Sequence, residues 1–185
     1  IQRGMEAYQA GRYEDALRQF DAALADPAGE QVRALNGSYL SNVKLGRTDR
    51  AEQLFGRIVG QGITDRNLAV KFLFNPGSTD FWSDTQVSGA YTMWLRQIAR
   101  GLERTPLCAE VVGHASRTGT ETFNARLSEQ RADLIRRRLV SELPALGSRL
   151  SAKGVGTREN LSGTGTDDAR DAVDRRVAFS FRDCG

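Results

Sequence analysis

A chain of 185 residues has room for one large domain or two small ones. Hydrophobic residues make up 39% of it and charged residues 26%, the balance of a globular protein, and no apolar run approaches the ~18 residues needed to cross a bilayer. The net charge is only +3, and all of that excess falls in residues 65–185 because the charges of 1–64 cancel, which excludes a nucleic-acid partner. No basic start leads into an apolar core, so no export signal is visible. The chain begins at Ile1 rather than Met, so any export signal or lipid anchor would precede it, and the lack of one here says little.

Residues 3–62 read as helical, and they repeat. Gly11-x-Tyr13-x-x-Ala16-x-x-x-Phe20-x-x-Ala23 returns thirty-five residues later as Gly46-x-Thr48-x-x-Ala51-x-x-x-Phe55-x-x-Ile58. Small residues suit the crossing of two helices, and aromatic residues suit the stacking of neighbouring hairpins. The pattern resembles tetratricopeptide repeats, although only Gly4 fits the usual Trp-x-x-Leu-Gly start. The resemblance implies helical hairpins over 1–64 that recruit a protein partner; a plain helical array is the alternative. Two repeats fall below the three such arrays usually need, so these are expected to continue an array or to pack on the rest of the chain.

From Leu68 the period changes. Ala69–Phe74 alternates as a strand, and Asn75-Pro76-Gly77-Ser78 stops it with turn residues. A helix is predicted from Asp84 to Arg104, with Val87, Tyr91, Trp94, Leu95, Ile98 and Leu102 on one face. Cys108–His114 reads as a second strand. Thr118-x-x-Glu121 then forms a capping box that opens a helix running to Glu142. Arg149–Gly156 is a third strand, Arg158–Asp167 a loop, and Val177–Phe181 a fourth strand. The fold class is therefore α+β, helical hairpins followed by a βαβαββ unit over 65–185 with a mixed four-stranded sheet and its helices on one face.

The helix of 121–142 carries the informative chemistry. Phe123, Leu127, Leu134, Ile135 and Leu139 make its apolar stripe, yet Asn124 and Arg131 fall within that stripe and Arg138 continues the row. An inward guanidinium needs a partner, since burying it alone costs several kcal/mol, on the order of that of any unpaired ion. It either snorkels out, pairs with a core carboxylate, or serves as a receptor for a carboxylate ligand, for which its bidentate fork is suited. The helix start after Gly119 adds free backbone N–H groups. Arg136-Arg137-Arg138 reads as a solvated helix face.

Val112-Gly113-His114-Ala115-Ser116-Arg117-Thr118-Gly119, Asn124-x-x-Leu127-Ser128-x-x-Arg131-Ala132 and Asp174-Arg175-Arg176-Val177 resemble the OmpA-like C-terminal domain, in order and in spacing. The resemblance implies noncovalent binding of the peptidoglycan stem peptide, with Arg131 on a carboxylate of diaminopimelate. Phe74 and Asn75 stand where the family has Phe-Asp, and Ser116, Thr118, Asn124 and Leu127 line the rest. It also implies a periplasmic, outer-membrane-associated protein of a Gram-negative bacterium. This chain departs from the family at Ala115-Ser116 for Thr-Asp, at Asn75 for Asp and at Asp174 for Asn. The first two remove the acids that would face the ligand's ammonium, so a degenerate domain acting as a scaffold is the second reading.

The two cysteines, Cys108 and Cys184, lie too far apart for a CxxC pair, and a single histidine leaves no zinc set. They are either one disulfide or two free thiols. In the family frame Cys108 opens the second strand and Cys184 closes the last, and antiparallel neighbours would bring them together. His114 and Ser116 lack an orienting acid, and Gly163-x-Gly165 is too short for a nucleotide fingerprint. No enzyme activity, cofactor or metal is expected.

Overall fold

A computed structural model describes residues 1–159 and 174–185. Two compact units divide the chain, Ile1–Gly62 and Ile63–Gly185.

The first unit is helical: α1 (Gln2–Gln9), α2 (Tyr13–Leu24), α3 (Gln31–Lys44) and α4 (Thr48–Thr64), the last running two residues past the boundary. The repeat seen in the sequence is repeated in the backbone. Gly11 and Gly46 take left-handed φ values of 75° and 71°, which a residue with a Cβ adopts only under strain. Each closes its helix with the same two bonds, Gly11 N to Tyr8 O with Arg12 N to Ala7 O, and Gly46 N to Val43 O with Arg47 N to Asn42 O. Ala16 and Ala51 are buried at equivalent places, as are Phe20 and Phe55. The Phe20 ring explains two glycines: a Cβ on Gly4 of α1 or Gly37 of α3 would come within 2.7 or 2.5 Å of it. α2 is thus seated between α1 and α3, and Tyr39 meets Phe55 at 5.7 Å between ring centres.

The second unit runs β1 (Asn67–Val70), α5 (Thr85–Ser88), α6 (Tyr91–Glu103), β2 (Cys108–Gly113), α7 (Glu121–Glu142), a 3₁₀ turn (Pro144–Ser148), β3 (Leu150–Gly154) and β4 (Val177–Arg182). The sheet order is β1-β4-β2-β3, with β4 antiparallel to both neighbours and β2 parallel to β3. Ala109, Val111 and Gly113 of β2 and Val177, Phe179 and Phe181 of β4 form one buried face, as alternation along a half-covered strand requires. α7 lies so close to that face that a Cβ on Gly113 would meet Ser128 O at 2.0 Å, and one on Gly154 would meet Glu129 N at 2.3 Å.

Several expectations shift. Alternation places the first strand at Ala69–Phe74, whereas β1 ends at Val70. Beyond it the Leu73 N–H donates to the Tyr91 hydroxyl at 2.8 Å, and Phe74 bridges Phe81. An aromatic cluster of Phe72, Phe81, Tyr91 and Trp94 thus captures residues that alternate like a strand. The single helix expected over 84–104 is two, broken at Gly89, where a Cβ would stand 2.4 Å from Thr85 O, and Val87 is 38% exposed rather than on the buried face. The cap of α7 is Thr120, whose Oγ1 accepts from Phe123 N at 3.2 Å, and not Thr118. Phe123, expected in the core, is 49% exposed. The loop expected over 158–167 lies, from residue 160 on, outside the described residues, as does Gly163-x-Gly165.

Candidate functional site

Seven residues separate Asn124 from Arg131, two turns of α7, so both face the same way. Both are buried, at 3% and 2% exposure, among Leu127, Ser128, Ile135 and Leu139. A helix that buries polar groups must supply them with partners, and each reaches a different loop. Asn124 Nδ2 donates to Thr118 O at 2.8 Å, fixing the segment after β2. Arg131 Nε donates to Ser78 O at 3.0 Å and Nη2 to Asn75 O at 3.2 Å, fixing the turn after Phe74. The guanidinium also lies over the Phe74 ring, 4.8 Å from its centre, within range of a cation–π contact.

The turn that Arg131 holds is itself built by Asn75. Its carbonyl also accepts from Ser78 N, its N–H donates to Asp80 O, and its Oδ1 accepts from Ser83 N. On the other loop Ser116, 5% exposed, shares a hydrogen bond of 3.2 Å with the Thr118 hydroxyl. Ser128 Oγ, buried in the helix, donates to Ala125 O and accepts from Gly156 N, tying the end of β3 to the same helix. The structure therefore gathers Asn124, Leu127 and Arg131 on one face of α7, with Phe74 and Asn75 on one loop and Ser116 and Thr118 on the other. Ser78 and Phe123 belong to the same neighbourhood and were not foreseen, Ser78 because it contributes a backbone carbonyl that carries no sequence signal.

Arg136 and Arg137 both pair with Asp133, at 3.1 and 2.9 Å, and Arg137 and Arg138 are exposed, the solvated face read from the sequence. That outer face of α7 also bears an open polar groove of about 490 Å³, lined by Thr79, Arg126, Glu129, Gln130, Asp133 and Arg137, none of them a foreseen site residue. Cys108 and Cys184 form a disulfide with Cα atoms 5.1 Å apart.

His114 is 2% exposed at the end of β2, and its Nδ1 has no hydrogen-bond partner among the described residues. Burial holds its pKa below the ordinary 6.5, and the Arg176 guanidinium adds to this against the opposing charges of Glu159 and Asp174. The folded state thus keeps a neutral imidazole, while the unfolded chain gains a proton as pH falls through about 6.5. His114 costs no stability above that value and progressively more below it. The melting temperature is expected to fall between about pH 7.5 and about pH 5.5, and His114→Gln to flatten that fall. The same slope in wild type and variant would show that His114 is not responsible.

A family model described as the OmpA family matches residues 73–174. Outer membrane porin F of Pseudomonas aeruginosa is 33% identical over 84 residues, 45% of this chain and 24% of that protein. Outer membrane protein Omp38 of Acinetobacter baumannii is 28% identical over 114 residues, 61% of this chain and 30% of that protein. The chain thus matches less than a third of the length of either relative. Among solved structures, the periplasmic domain of Helicobacter pylori MotB aligns over 64% of this chain and 76% of its own, with a TM-score of 0.51 and 16% identity, a likeness of fold alone.

Proposed function

Because the chain belongs to the OmpA family, through a match that spans more than half of it, we propose that residues 65–185 bind peptidoglycan noncovalently in the periplasm of a Gram-negative bacterium, near the outer membrane. Arg131 would hold a carboxylate of the stem diaminopimelate, with Phe74, Asn75, Ser116, Thr118, Asn124 and Leu127 around it. The observation that carries this reading is the buried Arg131 on the inner face of α7, bonded to the loop of Phe74 and Asn75 while Asn124 secures the loop of Ser116 and Thr118. A cation in that position, on a 22-residue helix, has a fork matched to a planar anion.

Residues 1–64, with their tetratricopeptide-like repeat, are assigned to a protein partner. In support, α1 and α3 leave an open groove of about 370 Å³ lined by Met5, Tyr8, Phe20, Arg33, Asn36 and Leu40. Met5 and Leu40 are 42% and 44% exposed, an unusual cost for large apolar side chains. The second reading, a scaffold without wall affinity, is favoured by the neutral Ser116 and Asn75 where the family carries acids.

Co-sedimentation with purified sacculi tests the choice. Wild type is expected in the pellet and to be released by free meso-diaminopimelate. Ser116→Asp supplies a partner for the ligand's ammonium, a charge-assisted bond expected to tighten retention about tenfold. If neither protein sediments, the wall-binding reading is wrong and the scaffold stands.

A further inference from the structure

Among the described residues, Phe123 is the most exposed large hydrophobic of the second unit, and its place on the first turn of α7 is fixed by the Thr120 cap. Its ring lies across the two loops that frame the site. A Cβ on Gly77 would be 4.0 Å from its Cζ, and one on Gly119 3.7 Å from its Cδ1. Both glycines take left-handed φ, 62° and 86°, and neither places a side chain against the ring. Phe123 is thus half exposed next to a site in which Phe74, Ser116, Asn124, Leu127 and Arg131 are buried.

We propose that Phe123 is a stacking platform for a sugar ring of the glycan strand, a subsite that extends the wall-binding site and rests on that reading. The ring's π face is electron-rich and attracts C–H groups, which a pyranose presents in an array on one side. Spacing favours the sugar over the stem itself. Ser78, whose carbonyl holds Arg131 Nε, follows Gly77, which lies under the ring. At ~3.8 Å between successive Cα atoms, guanidinium and ring stand on the order of 10 Å apart. Two residues link diaminopimelate to the muramic acid, and they span about 7 Å when extended, with the lactyl group adding to that. A stem whose diaminopimelate sits at Arg131 therefore delivers its sugar, rather than a further amino acid, to Phe123.

Isothermal titration of the full chain with two probes separates the possibilities: N-acetylglucosaminyl-N-acetylmuramyl-tripeptide and the same tripeptide without sugar. Wild type is expected to bind the sugar-bearing probe five- to tenfold tighter. Phe123→Ala should erase that advantage and leave the affinity for the bare tripeptide unchanged; Phe123→Tyr should keep it, and Phe123→Leu, apolar but without a π face, should lose most of it. Equal affinity of wild type for both probes overturns the platform, as does loss of both probes alike in Phe123→Ala, which would place the stem on the ring. If wild type binds neither probe, the wall-binding reading falls and the platform with it; tripeptide binding that survives without a sugar advantage overturns the platform alone.

Discussion

Arg131→Met is expected to abolish retention on sacculi and to lower the stability of the second unit by roughly 2–4 kcal/mol. The side chain is 2% exposed and donates to two carbonyls of the same turn, so its removal leaves Ser78 O and Asn75 O without those donors. Asn75 O keeps its bond from Ser78 N, so Ser78 O carries most of the loss, about 1–3 kcal/mol for an unsatisfied acceptor, and the cation–π contact adds to it. Methionine keeps an unbranched apolar stem of intermediate length, so the loss covers the charge, the hydrogen bonds and the cation–π contact with Phe74. Arg131→Lys keeps the charge but cannot offer the planar fork, and should bind at an intermediate level. Melting curves and sedimentation on the same preparations tell structure from recognition. A methionine variant that melts lower yet sediments like wild type would reduce Arg131 to a clamp for the 75–78 turn and remove it from the ligand site.

The disulfide carries the second large effect. Cys108 and Cys184 are 76 residues apart and no free cysteine exists, so the denatured, unreduced chain should titrate no thiol. Closing so long a loop contributes about 4 kcal/mol in the chain-entropy model. The Cys108→Ser, Cys184→Ser double variant should therefore melt on the order of 10–15 °C lower. The bond sits where β2 begins and just beyond the end of β4, so it staples an antiparallel pair whose Cys108 lies opposite Arg182. Two titratable thiols in the unreduced wild type, or an unchanged melting temperature in the variant, would dismiss it.

The placement of Asn124 and Arg131 was legible because helical spacing alone puts two polar residues on an apolar stripe, and both are buried there. The strands β2 and β4 were legible to within a residue at one end, since each alternates between turn residues. What periodicity cannot see is where a helix outruns the sheet beneath it. Phe123 matches the stripe of α7 in angle but sits on its first turn, over loops rather than strands. The end of β1 was hidden for another reason: Tyr91, far along the chain, takes the Leu73 N–H that a longer strand would have needed. The cap was ambiguous because Thr118 and Thr120 are equally suited chemically; Gly119, at φ 86°, turns the chain so that Thr120 takes the position.

The sheet order also dictates when this unit can be finished. β4 is the last described strand of the unit, yet it lies inside the sheet, and among the described residues β1 pairs with no other strand. Until Val177–Arg182 has joined the sheet, β1 is an orphan and β2 has one bare edge, an invitation to pair with a neighbouring chain. The bond from Cys108 to Cys184 joins the start of β2 to the end of β4, so its oxidation records that the last strand of the unit has taken its inner place.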